Sequence, residues 1–314
     1  MKILITGGTN GMGKGVANAL AGYGSGINEI IILCRNKSLG EATIKEIGTA
    51  TSNKKLSYIL CDLSRLNDVK KAIEEIQHKH TYLDAIFINA GIGYAAKHTE
   101  TEDGLDPHFQ VNYLSQFMLL LHLLDLLEKS TQGGRVIFNV IEHGKIYWDD
   151  LQLTNGWSYK KALLQSMLAK RLFIQKLHQL YAGPNMPALS FIGFEIPKTV
   201  WTNQLNIIPA PMKAMATMMK FFGQFITIEK CGEIMAPLFM ESREESLKKS
   251  GKLITWKKGQ FQELKDDPDT TNPATIDRLW ETSLDLCADE QTSDLVNNKF
   301  HEESSNSHIP ISYF

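Results

Sequence analysis

The sequence predicts an α/β protein built on a doubly wound, mostly parallel sheet. Short apolar runs of strand length recur through the first two hundred residues, and segments of helix-forming residues separate them. Such runs are typical of strands that are buried on both faces of a parallel sheet. A glycine-rich turn follows the first run directly, at residues 7–15, and a helix-compatible segment opens behind it.

The first strand is predicted at residues 2–6, and the turn behind it has the layout of a phosphate-binding loop. Gly7 permits a tight turn, Gly11 lets the backbone approach a phosphate, and Gly13 lets the following helix pack close to the strand. The N-terminus of that helix then offers free N–H groups to a dinucleotide pyrophosphate. The alternative is a glycine-rich turn that binds nothing.

Apolar runs predict further strands and a further helix. The helix is long and apolar, from Phe109 to Leu127, and it follows the fourth strand of the chain, at residues 83–88. Further strands are predicted at residues 29–34, 56–61, 83–88, 135–140 and 188–193.

A basic residue follows the second predicted strand. In dinucleotide-binding folds an acid at this place accepts the ribose hydroxyls of NAD, whereas a basic residue accommodates the 2′-phosphate of NADP. Arg35 follows Cys34 here, and the acid is missing. Lys14 adds a second positive charge just after the glycine turn, so the sequence predicts NADP(H) as the cofactor. The alternative is a pair of solvated surface cations.

Composition narrows the class of protein. A formal net charge of -2 and the lack of a basic stripe argue against nucleic-acid binding. The four cysteines are scattered and form no Cys-x-x-Cys pair, no metal site is predicted, and a reducing cytoplasm is expected. We expect no signal peptide, because the first strand starts at residue 2, and no apolar run is long enough to span a bilayer.

These motifs resemble the short-chain dehydrogenase/reductase family. The Thr-Gly-x-x-x-Gly-x-Gly turn at residues 6–13 and the Asn89-Ala90-Gly91 tripeptide after the fourth strand carry the resemblance. Residues 144–151 and 162–173 are similar to its retinol-dehydrogenase-like branch. The resemblance implies a Rossmann-like single domain over residues 1–287, with a variable lid at about 203–240. Residues 250–256 resemble the family's last strand, and residues 274–286 resemble its last helix. A polar, loosely ordered extension is expected at residues 288–314.

The turn chemistry and the resemblance together predict the cofactor-binding residues. The resemblance implies that Asp62 contacts the adenine, although Asp62 can also cap the helix predicted from Leu66 to Gln77. It implies that Asn89 steadies the central strands, and that residues 197–202 form a nicotinamide loop in which Lys198 replaces a glycine. The expected set is Gly7, Thr9, Asn10, Gly11, Met12, Gly13, Lys14, Arg35, Asn36, Asp62, Leu63, Asn89, Ala90, Gly91, Pro197, Val200 and Thr202.

The family pattern breaks down at the catalytic positions. The resemblance implies a Ser after the fifth strand, and a Tyr and a Lys four residues apart on one face of the next helix, where the ammonium lowers the phenol pKa. In this chain Ile141 and Glu142 stand where the serines are expected, and Leu163 and Met167 occupy the Tyr and Lys positions. Neither side chain can donate a proton.

Four residues remain as catalytic candidates. Glu142 and His143 stand at the carboxyl end of the fifth strand and can serve as acid and base, or they are a solvated loop pair. Tyr159 lies one turn before Leu163, but no Lys follows it at four residues. Asn112 falls where the resemblance implies an Asn that holds a water in a proton relay.

Two functions follow from this pattern. The first is an atypical enzyme that acts on an apolar small molecule, either in a redox reaction or in an isomerisation, cyclisation or elimination. The second is a pseudoenzyme that serves as a nucleotide-binding sensor or scaffold, which the loss of Ser, Tyr and Lys favours.

The segment from Pro209 to Phe225 is rich in Met and Phe, and by resemblance it closes over substrate. Packing on the protein itself or on another subunit is an alternative, and a lipid surface is a third. The resemblance also implies a homodimer or homotetramer that pairs through the helices after strands four and five.

Overall fold

The computed structural model describes residues 1–25, 28–200, 208–266 and 268–300. Within these ranges the structure is a large twisted sheet with helices on both faces, which confirms the predicted α/β class. The strands are β1 (Lys2–Thr6), β2 (Glu29–Cys34), β3 (Leu56–Leu60), β4 (Ala85–Ile88), β5 (Arg135–Asn139), β6 (Ser190–Glu195), β7 (Thr199–Val200), β8 (Phe225–Ile226), β9 (Leu253–Lys257) and β10 (Gln260–Glu263).

The main sheet has the strand order β10-β9-β6-β5-β4-β1-β2-β3. Every neighbouring pair is parallel except β9 and β10, which form an antiparallel hairpin at one edge. The chain order reverses between β1 and β4, and open α/β sheets bind ligands beyond the carboxyl ends of the strands at such a switch point. The glycine turn follows β1, so it lies at that place.

The helices of the described residues are α1 (Gly11–Gly22), α2 (Lys37–Thr51), α3 (Leu66–Lys79), α4 (Pro107–Phe109), α5 (Ser115–Glu128), α6 (Tyr159–Leu180), α7 (Ala210–Phe221), α8 (Ile228–Met240), α9 (Arg243–Leu247), α10 (Pro273–Cys287) and α11 (Glu290–Phe300). A π-helical turn, Gln110–Leu114, joins α4 to α5. Buried side chains of α1 and α8 pack on one face of the sheet, and those of α3, α5, α6, α10 and α11 pack on the other.

Glycines bring α1 and α8 into backbone contact. A Cβ on Gly15 would lie 2.1 Å from the Ile228 carbonyl oxygen, and a Cβ on Gly232 would lie 2.1 Å from the Gly15 carbonyl oxygen. Real Cβ atoms do not approach a backbone this closely, so both positions require glycine. Cys231, Met235 and other apolar residues of α8 are fully buried. Helix α8 is therefore part of the core, and the expectation that the lid reaches residue 240 is wrong.

The C-terminal part departs from the sequence prediction in two ways. The strand at residues 253–257 is followed by β10, so it is not the last strand. The expectation of a loosely ordered extension from residue 288 is wrong for residues 290–300, which form α11. Thr292 and Val296 of this helix are buried, and Lys299 pairs with Asp125 and Glu128 on α5. Asn297 and Asn298 are exposed on the outer side of this amphipathic helix, whereas Lys299 lies against α5.

The same C-terminal helices cover the surface expected to pair subunits. Helix α5 has apolar residues almost all round and is buried along most of its length, and residues 165–174 of α6 are also buried. Apolar residues of α10 and α11 belong to the same core cluster as those of α5 and α6. Because both helices are buried within one chain, the structure disfavours the expected pairing through them.

Candidate functional site

The glycine turn has the conformation expected of a phosphate-binding loop. Gly7 and Gly11 have φ angles of 68° and 54°, in the left-handed region that favours glycine. A Cβ on Gly13 would lie 2.4 Å from the Gly7 carbonyl oxygen and 2.6 Å from Nδ2 of Asn89. The turn is therefore closed against the first strand, and side chains at these positions would fill it.

Helix α1 begins at the turn with its N-terminus facing this edge of the sheet. Asn10 caps the helix, because its Oδ1 accepts the N–H of Gly11 at 2.8 Å. Thr9 lies beside it, and Met12 is buried under the turn. Lys14 extends toward α2, where its Nζ pairs with Oε2 of Glu46 at 2.7 Å. An anion at the turn therefore competes with Glu46 for the Lys14 ammonium.

The end of β2 presents the basic residue. Arg35 is exposed, and Asn36 caps α2 by accepting the N–H of Leu39 at 2.9 Å. No carboxylate stands at the end of this strand, since Cys34 is its last residue. Arg35 thus follows β2, the strand that pairs in parallel with β1, and the glycine turn follows β1.

Asp62 belongs to a tight turn after β3. Its Oδ1 accepts the N–H of Ser64 at 3.0 Å and the Ser64 hydroxyl at 2.7 Å. The N–H of Leu66, the first residue of α3, is instead accepted by Asp103 at 2.9 Å. The alternative in which Asp62 caps this helix is therefore wrong. Leu63 is buried and its carbonyl accepts the Ser115 hydroxyl, which ties the turn to α5.

The Asn89-Ala90-Gly91 segment is tied to β1 through Thr6. The Thr6 Oγ1 accepts the N–H groups of Asn89 and Ala90 at 2.8 and 3.0 Å and donates to Oε1 of Gln116 at 2.8 Å. Nδ2 of Asn89 donates to the Thr6 carbonyl at 3.0 Å. These bonds hold β1 and β4 together at the switch point. Gly91 lies against Asn112, whose Oδ1 a Cβ would meet at 3.1 Å.

Asn112 lies in the π-helical turn and is fully buried. Its Oδ1 accepts the N–H of Ile92 at 2.6 Å, and its Nδ2 donates to the Ile92 carbonyl and to Oγ of Ser166 at 2.9 Å. The side chain thus braces the loop after β4 against α6. All three bonds go to protein groups, so the amide acts in this structure as a positioning group.

The loop after β5 carries the acid and base candidates. Oε2 of Glu142 lies 3.8 Å from Nε2 of His143, whose ring is 77% exposed. The Glu142 carbonyl accepts a hydrogen bond from Arg171, and its N–H donates to the carboxyl of Glu195. The pair is therefore held by its backbone at the sheet edge, with the imidazole in solvent.

Glu195 is a residue of this site that sequence reasoning missed. It ends β6, next to the loop after β5, and burial raises the pKa of its carboxyl group. Its Oε2 is buried without a hydrogen-bond partner within the described part of the chain. An acid directly after the apolar run at residues 190–194 is a signal that the sequence offered.

Helix α6 carries the two substituted positions. Met167 is 6% exposed and Leu163 is half-buried, so both present apolar groups at the predicted Tyr and Lys places. Tyr159 begins the helix and packs edge to face on Tyr94, with ring centroids 5.0 Å apart. Lys161 donates to the Gly156 carbonyl at 2.7 Å, on another side of the helix start. The structure therefore brings no lysine to Tyr159 at this end of α6.

A buried lysine lies one turn further along α6, and sequence reasoning missed it. Lys170 is 1% exposed, and its Nζ donates to the Asn139 carbonyl at the end of β5, at 3.1 Å. Burial lowers the pKa of this ammonium to about 7. Lys170 lies three residues after Met167 in a mostly apolar run, and this position in the sequence could have indicated that the lysine is buried.

The loop after β6 is described only in part. Pro197 is exposed and Val200 is buried in β7, which pairs with β8. Lys198 donates to the Gly223 carbonyl at 2.6 Å. Thr202, the remaining predicted contact, lies outside the described residues. No cluster of His, Cys, Asp and Glu in the described ranges could hold a metal ion.

A parallel sheet with strand order 3-2-1-4-5-6, a glycine turn after its first strand and a capped helix behind the turn define a Rossmann-type dinucleotide-binding protein. A family model described as short chain dehydrogenase matches residues 1–150.

Three proteins that are similar to this chain are dehydrogenases or reductases by name. Human polyprenol dehydrogenase is 32% identical over 186 residues, which are 57% of this chain and 55% of that protein. Mouse retinol dehydrogenase 12 is 27% identical over 286 residues, 90% of this chain and 85% of that protein. The structure of a variant of actinorhodin polyketide ketoreductase with NADPH matches at a TM-score of 0.62 and 16% identity, over 81% of this chain and 94% of that one.

These similarities support the short-chain dehydrogenase/reductase superfamily, and within it the retinol-dehydrogenase-like branch, as the relatives of this chain. Its matched segment spans about half the length of polyprenol dehydrogenase, at 55%. The resemblance of the sequence motifs is thereby confirmed.

Proposed function

We propose that this protein binds NADP(H) and catalyses a reaction on an apolar small molecule without the family's Ser-Tyr-Lys triad. The observation that carries the proposal is the glycine turn: Gly7 and Gly11 have positive φ angles and Gly13 packs on the Gly7 carbonyl, so the N-terminus of α1 opens at the carboxyl end of β1. The related ketoreductase structure, which contains NADPH, supports the choice of cofactor.

The charge at the end of β2 supports NADP(H) over NAD(H). Arg35 is exposed beside the turn, and no carboxylate ends this strand to accept ribose hydroxyls. Lys14 strengthens the site only when a phosphate displaces Glu46 from its Nζ. Residues 7–14 would therefore hold the pyrophosphate, and Arg35 would hold the 2′-phosphate.

Bound NADP(H) supplies or accepts a hydride in this family. The proton would have to move through groups of this chain other than Leu163 and Met167. Glu142 and His143 are the candidates, because their backbone is held at the carboxyl edge of the sheet by Arg171 and Glu195. Tyr159 is the candidate for a shifted hydroxyl donor.

The second candidate function is a pseudoenzyme that binds the nucleotide as a sensor or scaffold. It is favoured by the apolar Leu163 and Met167 and by the solvent exposure of His143. Under this proposal the cofactor turn serves binding alone. In either case the four reduced, buried cysteines agree with a proposed cytoplasmic location.

Titration of the purified protein with NADPH and NADH, followed by nicotinamide fluorescence, tests the cofactor proposal. We expect tighter binding of NADPH, and a roughly ten- to hundredfold loss of NADPH affinity in Arg35→Ala, because a charge-assisted bond is removed. Lys37→Ala is the matched control, since it removes a neighbouring exposed cation at the start of α2. Equal loss in both variants would contradict the assignment of Arg35.

Substrate screening with bound NADPH separates the enzyme from the pseudoenzyme. If a turnover is found, Glu142→Gln or His143→Ala should lower kcat, and a variant with Lys145→Ala in the same loop should retain it. If Glu142→Gln, His143→Ala and Tyr159→Phe all retain activity, the proposal of a relocated acid and base is rejected.

A further inference from the structure

Helix α7 and the residue after it carry a concentration of exposed apolar side chains. Five of the nine large apolar side chains that are exposed in these ranges fall between residues 215 and 222. Their exposed fractions are 53% for Met215, 57% for Met218, 39% for Met219, 87% for Phe221 and 68% for Phe222. Exposed apolar side chains concentrated in this way mark an interaction surface rather than the scattered exposure of ordinary surfaces.

Four of these five exposed residues form one stripe, and Phe221 lies beside it. Met215, Met218, Met219 and Phe222 follow the spacing i, i+3, i+4, i+7, which places them on the same side of a helix. Lys213, Thr217 and Lys220 share the spacing i, i+4, i+7 and lie on the opposite side. The two sets give α7 an amphipathic arrangement whose apolar side faces away from the protein.

Among the described residues, helix α7 contacts the rest of the protein through its middle and through the segment that follows it. Ala216 is the one residue of α7 that is buried. After Phe222 the chain turns at Gly223, whose carbonyl accepts the Lys198 ammonium at 2.6 Å, and enters β8, which pairs with β7. Next to the parallel β7–β8 pair, the Met and Phe stripe is therefore exposed, and it lines no interior surface within the described part of the chain.

The charge around α7 indicates which kind of partner the apolar stripe contacts. The sequence between Glu195 and Glu229 contains no Asp or Glu and three lysines, at 198, 213 and 220. A helix with Met and Phe on one side and lysines on the other is typical of segments that lie in the interface of an anionic bilayer. A second copy would offer no carboxylate from this segment to the lysines of the first.

We propose that the apolar stripe of α7 inserts into the headgroup and acyl boundary of an anionic lipid surface, with its axis in the membrane plane. At 12 residues the helix is about 18 Å long. No helix in the described ranges is long and apolar enough to cross a bilayer. The contact is thus peripheral, and it does not rest on the proposed enzymatic function.

Flotation of the full chain with lipid vesicles, without cofactor or substrate, tests the proposal. We expect the protein to float with phosphatidylcholine vesicles that contain about 30% phosphatidylserine, to float poorly with pure phosphatidylcholine, and to be released by high salt. Met218→Ser combined with Phe222→Ser should lower the partition coefficient by about tenfold or more, because two inserted apolar side chains are lost. Leu39→Ser, at a side chain that is 55% exposed on α2, is the matched control.

Thermal unfolding of each variant establishes that it is folded, and Lys213→Glu combined with Lys220→Glu is a second variant that leaves the stripe intact. Reduced binding of this charge variant to the anionic vesicles supports the proposal. The proposal is overturned if the wild-type chain does not float with anionic vesicles, or if the serine variant binds as well as Leu39→Ser. It is also overturned if sedimentation shows that α7 instead joins two copies in a dimer that the serine variant dissociates.

Discussion

Replacing Lys170 by Met should stabilise the protein at low pH and change the sign of its effect at high pH. The lysine is fully enclosed on α6, and the one hydrogen bond that its Nζ makes in the described structure goes to the Asn139 carbonyl. Burial disfavours the charged form, so the pKa falls from 10.5 to about 7. Met has a similar unbranched shape and no charge to desolvate.

The sign follows from proton binding. Between about pH 7 and pH 10.5 the unfolded state binds the proton and the folded state does not, so the free energy of unfolding rises with pH across this window. Below pH 7 the wild-type protein carries the whole penalty. The change from 10.5 to about 7 corresponds to an upper bound of about 5 kcal/mol at 1.36 kcal/mol per pH unit.

The lost hydrogen bond to Asn139 acts in the opposite direction and is worth about 1 kcal/mol. We therefore expect Lys170→Met to raise the free energy of unfolding by about 1 to 4 kcal/mol at pH 6. At pH 10 the variant should be about as stable as the wild type, because the remaining penalty is then about 1 kcal/mol and the lost hydrogen bond offsets it. Well above pH 10.5 the lysine is neutral in both states, so the variant should be slightly less stable there.

Urea unfolding monitored by circular dichroism at pH 6, 8 and 10 measures these differences. Lys160→Met is the control, since this residue is exposed on the same helix and should change the free energy of unfolding little at any of the three pH values. The reasoning is refuted if Lys170→Met destabilises the protein at pH 6, or if its effect is the same at pH 6 and pH 10.

Two further predictions concern the turn and the assembly. Gly13→Ala should lower the free energy of unfolding by about 1 to 3 kcal/mol and abolish NADPH binding, because its Cβ would meet the Gly7 carbonyl at 2.4 Å. Urea unfolding and fluorescence titration measure the two effects. Ala19→Gly on the same helix is the control, since it adds no atom. The chain should sediment in lipid-free buffer as a monomer of 35.3 kDa, since α10 and α11 cover α5 and α6. A sedimenting dimer of any kind would contradict this.

Local chemistry made the nucleotide-binding half of the fold readable from the sequence. Buried parallel strands are continuous apolar runs, and the turn after β1 needs glycine at positions with positive φ, so both leave marks at adjacent residues. The prediction that Leu163 and Met167 occupy the expected Tyr and Lys positions also came from the sequence alone, and both residues lie on one unbroken helix.

The tertiary structure decided what depends on residues far apart in the chain. Glu195 and Glu142 meet because β5 and β6 are parallel neighbours, and Lys170 is buried because α6 packs on the end of β5. The sequence 290–300 is polar enough to suggest an extension, yet two buried residues, Thr292 and Val296, pack it on α5.

The Met-rich segment also shows which features the sequence determines and which the tertiary structure decides. Its composition and helical spacing were present in the sequence, but they are equally compatible with a buried lid and an outward-facing surface. Exposure depends on what the rest of the chain places against a helix, and here it places only enough to bury Ala216. The sequence determined that α7 has an apolar side, and the packing of the whole chain decided that this side faces outward.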